Sequence, residues 1–186
     1  MRVITGKARG VQLKTPEGLD TRPTTDRVKE ALFSIIQFEI PGTTVLDLFG
    51  GTGQLGIEAL SRGAKSAVFV DEGREAISVI RDNLRRTRLE EKAQVLQMDY
   101  LSYLRRCKKR FRLIFLDPPY AEKYLETALK FISEIDILEE SGIIITERPL
   151  GKSLDGDFSG LEASKDYNYG KTTITLFRRE QKESQE

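Results

Sequence analysis

Val45 to Leu60 read VLDLFGGTGQLGIEAL, and this stretch decides the architecture. The opening residues are almost continuously apolar, as in a strand buried on both faces. Gly50, Gly51 and Gly53 permit a tight turn, and a helical pattern runs from Gly53 to Arg62. Strand, glycine turn and helix in succession open a βαβ unit whose turn offers backbone N–H groups to a ligand above the sheet. Working outward, residues 44–48, 66–70, 93–98, 112–116 and 142–147 are short runs rich in Val, Ile, Leu and Phe. Helical patterns separate them at 53–62, 74–87, 100–107 and 122–135. Strand and helix alternate, so the fold class is α/β with a mostly parallel twisted sheet.

Two segments fall outside that rhythm. Residues 161–178 contain a turn signal, Asn168-Tyr169-Gly170, followed by β-branched alternation in TTITLF, and predict a terminal antiparallel hairpin on the sheet edge. Residues 1–43 read as an N-terminal extension: a small hairpin around Lys7 to Gly10, a loop, and a helix from about Thr25 to Phe38 that starts on Pro23-Thr24-Thr25-Asp26 and stops before Pro41-Gly42. The domain proper is then 44–180, and 181–186 form a polar tail. On this reading the extension is separable, because the five core strands all lie downstream.

Composition narrows the chemistry. Thirty Lys and Arg face 29 Asp and Glu in 186 residues, a formal charge of +1, so nucleic acid could be held only by local basic patches. With no His and one Cys, the chain can build neither a Ser-His-Asp triad, a His-ligated metal centre, a thiolate cluster nor an internal disulfide, and no metal is expected. A reducing, cytoplasmic setting follows, and no stretch approaches the length of a membrane span.

The candidate site gathers at the strand ends. Gly51, Gly53 and Gly56 satisfy G-x-G-x-x-G, and Asp71 ends the second strand where a ribose could bond to it. That pair suits a dinucleotide or an adenosyl cofactor. Asp47, three residues before the glycines, would repel a pyrophosphate and favour the sulfonium and ammonium of S-adenosylmethionine. Asp99 could bond an adenine amino group, or simply cap the helix opening at Tyr100. Asp117-Pro118-Pro119-Tyr120 follows the fourth apolar run. An exocyclic amine on a nucleobase is a poor nucleophile, its lone pair being delocalised into the ring. Acceptors around its protons coax it toward tetrahedral geometry: the Asp117 carboxylate and the Pro118 carbonyl, the latter fixed by the adjoining Pro119, with Tyr120 as a stacking face.

With these residues in view, the chain resembles a Rossmann-like class I S-adenosylmethionine-dependent methyltransferase. It is most similar to the bacterial family that methylates the N2 amine of one guanine in 16S ribosomal RNA. The likeness is carried by RVITGKARGVQL, TRPTTDRVKEALFSII, DLFGGTGQLGIEALSRGA, FVD, MDY and LDPPY, and the first two segments are the most specific. It implies cofactor contacts at Asp47, Phe49, Gly50, Gly51, Thr52, Gly53, Asp71, Glu72, Asp99 and Tyr100, catalytic contacts at Asp117 to Tyr120, and a small-subunit RNA partner within a 30S particle, met by a monomer. Lys7, Arg9, Arg22 and Arg27 in the N-terminal block are then expected to touch RNA. The run RRCKKRFR at 105–112 is either a second RNA contact or a solvated connection, and Cys107 within it reads as an incidental thiol. The residues leave three other activities open: an NAD-dependent oxidoreductase, a non-catalytic RNA-binding module, and a methyltransferase of adenine N6 or a protein amide.

Overall fold

A computed structural model describes residues 1–15, 26–119 and 123–180. Arg22, Tyr120 and the tail at 181–186 lie outside the described residues. The parallel core comprises β1 (Thr44–Asp47), β2 (Ser66–Asp71), β3 (Ala93–Gln97), β4 (Phe111–Leu116) and β5 (Leu138–Pro149). The helices are α1 (Asp26–Ile35), α2 (Gln54–Ser61), α3 (Arg74–Thr87), α4 (Tyr100–Arg106) and α5 (Tyr124–Glu134). Among the described residues the sheet order is β3-β2-β1-β4-β5, continued by β8 (Thr172–Arg179) and β6 (Leu161–Ala163). The chain winds outward from β1 to β3, then crosses to β4 on the other side. Between β1 and β4 the winding reverses, and the carboxyl ends of those two strands border the crevice where open α/β sheets bind ligands.

Side-chain alternation divides the core. Val45, Phe69, Phe115 and Ile145 pack beneath α1, α2 and α3, while Leu46, Val68, Ile114 and Ile144 pack against α4 and α5. Every residue of α2 is buried, so this helix shows no polar face. α3 is the opposite case, burying Ile77, Ile80 and Leu84 in a narrow stripe under a charged surface.

The terminal hairpin is as expected. β7 (Tyr167–Tyr169) turns through Gly170 into β8, and the hairpin lies at the sheet edge: β8 pairs antiparallel with β5 over residues 172–178, and β6 and β7 cover its other side. Leu161 to Ala163, a stretch too short to show alternation, supplies half of that cover. The first helix stops earlier than expected, at Ile35, and the chain continues as a 3-10 turn over Gln37–Glu39 that sends Glu39 to bond Arg112 at 2.6 Å.

The N-terminal arm departs most from the sequence reading. Its hairpin contains one isolated antiparallel bridge, Arg2 to Gln12, and bonds part of its own backbone, with Val3 N–H on the Val11 carbonyl at 3.0 Å and Leu13 N–H on the Met1 carbonyl at 3.1 Å. Other N–H groups find partners on the helices. Ile4 and Thr5 N–H donate to the two oxygens of Glu58 at 2.8 and 3.0 Å, Ala8 N–H donates to Ser61 Oγ at 3.0 Å, and Lys14 N–H donates to Asn83 Oδ1 at 2.7 Å. A Cβ on Gly6 would lie 1.9 Å from the Ser61 carbonyl oxygen, so only glycine allows the arm this close to α2. Val3, Ala8 and Leu13 join the core shared by α1, α2 and α3. The arm is therefore part of the packing of the domain and not separable from it. Beneath it, Lys29 on α1 is fully buried, with Nζ 3.6 Å from Glu58 and donating to the Arg2 carbonyl, and burial holds its pKa below the usual lysine range.

Candidate active site at the strand ends

The glycine turn is held from three sides. Gly50 N–H donates to the Val70 carbonyl at 2.8 Å, and Gly51 N–H donates to Asp71 Oδ2 at 2.8 Å. Gly53 adopts φ 76 as the residue preceding α2, a left-handed conformation that side chains other than glycine strain to reach. Asp71 Oδ1 also accepts from Gly73 N–H at 2.8 Å, so this carboxylate ties the β1 turn to the β2 turn. Each of its oxygens retains a further acceptor position for a hydroxyl donor. Glu72 beside it is exposed.

Asp47 faces the same turn from below. It is buried and accepts from Gly56 N–H in α2 at 3.0 Å, so part of its work is to hold the helix start against the strand. Its pKa is pushed up to about 7, chiefly by burial; the Gly56 bond opposes the rise and the Asp71 charge adds to it. The sign of the consequence is definite. A folded-state pKa above the unfolded value of 3.8 leaves Asp47 costing nothing below about pH 4, where both states are protonated, and costing most above about pH 7. The melting advantage of Asp47→Asn over wild type should thus grow from pH 4 to 7 and level off. A constant difference across that range would mean that Asp47 titrates normally.

At the end of β3, Asp99 accepts from Ser102 N–H at 3.0 Å and caps α4, and its hydrogen bonds to Ser102 hold its pKa low. Tyr100 beside it lies 5.0 Å from the Phe49 ring and 5.6 Å, edge-on, from Tyr124. These three rings join the glycine turn, the β3 turn and the start of α5. Tyr124 escaped the sequence reading because nothing in its helical pattern distinguishes it from an ordinary amphipathic position.

Asp117 follows β4 half-buried, with Pro118 buried and Pro119 exposed. Continuing the alternation of each strand, Asp47, Asp71, Asp117 and Glu147 all lie on the face of Val45, Phe69, Phe115 and Ile145. Leu116 pairs with Thr146, so Asp117 and Glu147 stand level on neighbouring strands. Four carboxylates thus cross four adjacent strands at their carboxyl ends. Glu147, only 4% exposed, was missed because TERP at the end of an apolar run reads as the strand leaving the core.

Several relatives match the chain over nearly its whole length. A family model described as "Conserved hypothetical protein 95" matches residues 1–178. The chain belongs to this methyltransferase family. It is 42% identical over 182 residues to "Putative rRNA methyltransferase YlbH" of Bacillus subtilis (strain 168), covering 96% of this chain and 99% of that protein. It is 30% identical over 180 residues to "Ribosomal RNA small subunit methyltransferase D" of Escherichia coli (strain K12), covering 97% and 90%. Among solved structures, "Putative methyltransferase yhhF" from Escherichia coli superposes with a TM-score of 0.87 at 31% identity, over 98% of this chain and 99% of that one.

The basic residues of the family-specific block divide. Lys7, Arg9 and Arg27 are exposed. The run at 105–112 precedes β4 and so sits at the amino ends of the strands, the opposite end of the sheet from Asp117. Two of its cations are engaged there, Arg110 with Asp136 and Arg112 with Glu39. Cys107 is half-buried with Sγ 3.5 Å from the Tyr103 hydroxyl and far from the strand-end row.

Proposed function

We propose that this methyltransferase moves a methyl group from S-adenosylmethionine to the exocyclic N2 amine of a guanine in small-subunit (16S) ribosomal RNA, acting as a cytoplasmic monomer on a 30S particle. The observation that carries this reading is the placement of Asp117, with its proline pair, level with the buried Glu147 and across the winding reversal from the glycine turn. The residues fit the cofactor chemically: the turn offers backbone donors, Asp71 a carboxylate for vicinal hydroxyls, Phe49 and Tyr100 apolar ring faces, and Asp47 a carboxylate whose ionisation a nearby cation would favour. When bound, the cofactor supplies an electrophilic methyl group on a positively charged sulfur.

The chain's own residues do the rest. Asp117 and the Pro118 carbonyl accept hydrogen bonds from the two N–H groups of the amine and turn its lone pair out of conjugation. As the nitrogen forms its new bond it becomes acidic, and Asp117 or water takes the proton, so no strong base is needed. RNA is held through local charge. The exposed Lys14 adjoins α3, meeting Asp82 at 3.0 Å, and Arg86 Nε donates to the Gln12 carbonyl, while the exposed Lys7 and Arg9 lie at the hairpin tip, where Lys7 N–H meets the Ser61 carbonyl at the end of α2 at 2.9 Å.

Methyl transfer from labelled cofactor to small-subunit particles of an unmethylated strain, with the product nucleoside identified, tests the whole reading. N2-methylguanosine is expected, and N6-methyladenosine would overturn the base assignment. Asp71→Ala should raise the adenosylhomocysteine Kd roughly tenfold or more, since it removes a charge-assisted contact worth about 1.5 to 3 kcal/mol and unhooks Gly51. Unchanged affinity would leave Asp71 a purely structural tie. Lys7→Glu with Arg9→Glu reverses two exposed charges and leaves the arm's backbone bonds in place. The slope of log K for RNA against log salt should flatten by up to about two units. Wild-type methylation across a salt series would make the arm packing alone.

A further inference from the structure

Asn83 is fully buried on α3, takes no part in the strand-end row, and is satisfied by two different segments of the chain. Its Oδ1 accepts from Lys14 N–H at 2.7 Å and its Nδ2 donates to the Lys14 carbonyl at 3.1 Å, pairing with one residue of the arm as a neighbouring strand would. The second Nδ2 hydrogen goes to the Thr52 carbonyl at 2.9 Å, inside the glycine turn. The Lys14 pair uses Oδ1 and one Nδ2 hydrogen, and the second hydrogen, fully buried, needs a partner of its own. The third bond fixes the orientation of a peptide group lying between Gly51 and Gly53, the two residues of the turn with left-handed φ of 53 and 76. The peptide that carries this oxygen joins Thr52 to Gly53; its N–H donates to the Gly50 carbonyl at 2.6 Å, and the Asn83 bond holds it from the opposite side. The arm reaches the same residue a second time, with Met1 Sδ 3.6 Å from Thr52 Oγ1.

We propose that Asn83 is a positioning residue for the cofactor turn and links it to the arm, so that small-subunit RNA seated on the arm tightens cofactor binding and the cofactor tightens RNA binding equally. This rests on the reading of the arm as an RNA contact and of the turn as the S-adenosylmethionine site. Equal effects of the same sign, from RNA on the cofactor and from the cofactor on RNA, are a thermodynamic necessity once the two sites share a linkage. The physical route is short: arm backbone, one amide, turn carbonyl.

The test is the adenosylhomocysteine Kd of the full chain, by equilibrium dialysis, with and without saturating unmethylated small-subunit particles. In wild type the particles should lower it fivefold or more. In Asn83→Ala the free-protein Kd should rise about tenfold and the particles should change it by less than twofold. Asn83→Asp keeps the size and the bond from Lys14 N–H but sets a carboxylate against two carbonyl oxygens; it should behave alike, and it carries the test where the alanine variant does not fold. A wild type whose Kd ignores the particles overturns the linkage. Folded Asn83 variants that melt lower yet keep both wild-type Kd values overturn the positioning role. The proposed function fails separately, on a wild type that binds neither adenosylhomocysteine nor the particles; raised Kd in Asp71→Ala alongside unaffected Asn83 variants overturns this inference alone.

Discussion

Asp117→Ala should lower the rate of methyl transfer by a thousandfold or more and leave the adenosylhomocysteine Kd within severalfold of wild type. The split follows from position. Asp117 stands past the end of β4 beside Pro118, whereas the glycine turn is held by Val70, Asp71 and Asn83 without it. Its partner in the proposed reaction is the target amine, so it contributes where the amine changes geometry and sheds its proton. Loss of a positioned proton acceptor is worth about 10²- to 10⁴-fold, and here orientation is lost along with it. Single-turnover transfer to small-subunit particles, paired with cofactor titration, checks both halves. A matched loss of cofactor affinity would move Asp117 to the cofactor's side of the crevice.

Glu58→Ala should destabilise the fold by about 3 to 5 kcal/mol, the range for breaking a buried charged pair by removing one partner. Against a total stability of roughly 5 to 15 kcal/mol, that is enough to leave much of the chain unfolded at moderate temperature. Glu58 has no exposed surface, yet it satisfies Ile4 N–H, Thr5 N–H, Arg62 at 2.8 Å and the ammonium of Lys29. Alanine strands all four, and the worst is Lys29, a cation with no water to turn to. Glu58→Gln, which keeps the shape and an acceptor, should cost less. Urea melts of the three proteins check the order, and an alanine variant within 1 kcal/mol of wild type would show that the arm is held by its apolar contacts.

The sheet was legible in the sequence because its signals are local. Apolar runs at 44–48 and 112–116 could only be buried strands, and the stripe Ile77, Ile80, Leu84 gave α3 its observed bounds, Arg74–Thr87. The placement of the candidate residues at the strand ends was legible for the same reason, since they follow those runs directly. What could not be read was polar and distant. Glu58 in α2 looks like a solvent-facing acid, and only the docking of a segment more than fifty residues earlier makes it a core residue. Asn83 reads as one more polar position on a charged helix. The run at 105–112 stood open between an RNA contact and a solvated connection; its order before β4 places it at the amino ends of the strands, and the ion pairs of Arg110 and Arg112 there could not be read from the sequence.

The arm's docking sites also impose a sequence of events in time. The partners of its N–H groups on α2 and α3 lie 53 to 69 positions further along the chain. At a synthesis rate of roughly 5 to 20 residues per second, Lys14 precedes Asn83 by about 3 to 14 s. Through that interval the arm lacks its docking partners on α3, and once α2 forms, Glu58 and Lys29 await the backbone groups that complete their shell. Closing a loop of this length is entropically slow relative to local helix formation. The arm is thus synthesised before the helices it docks on and is among the last elements to settle.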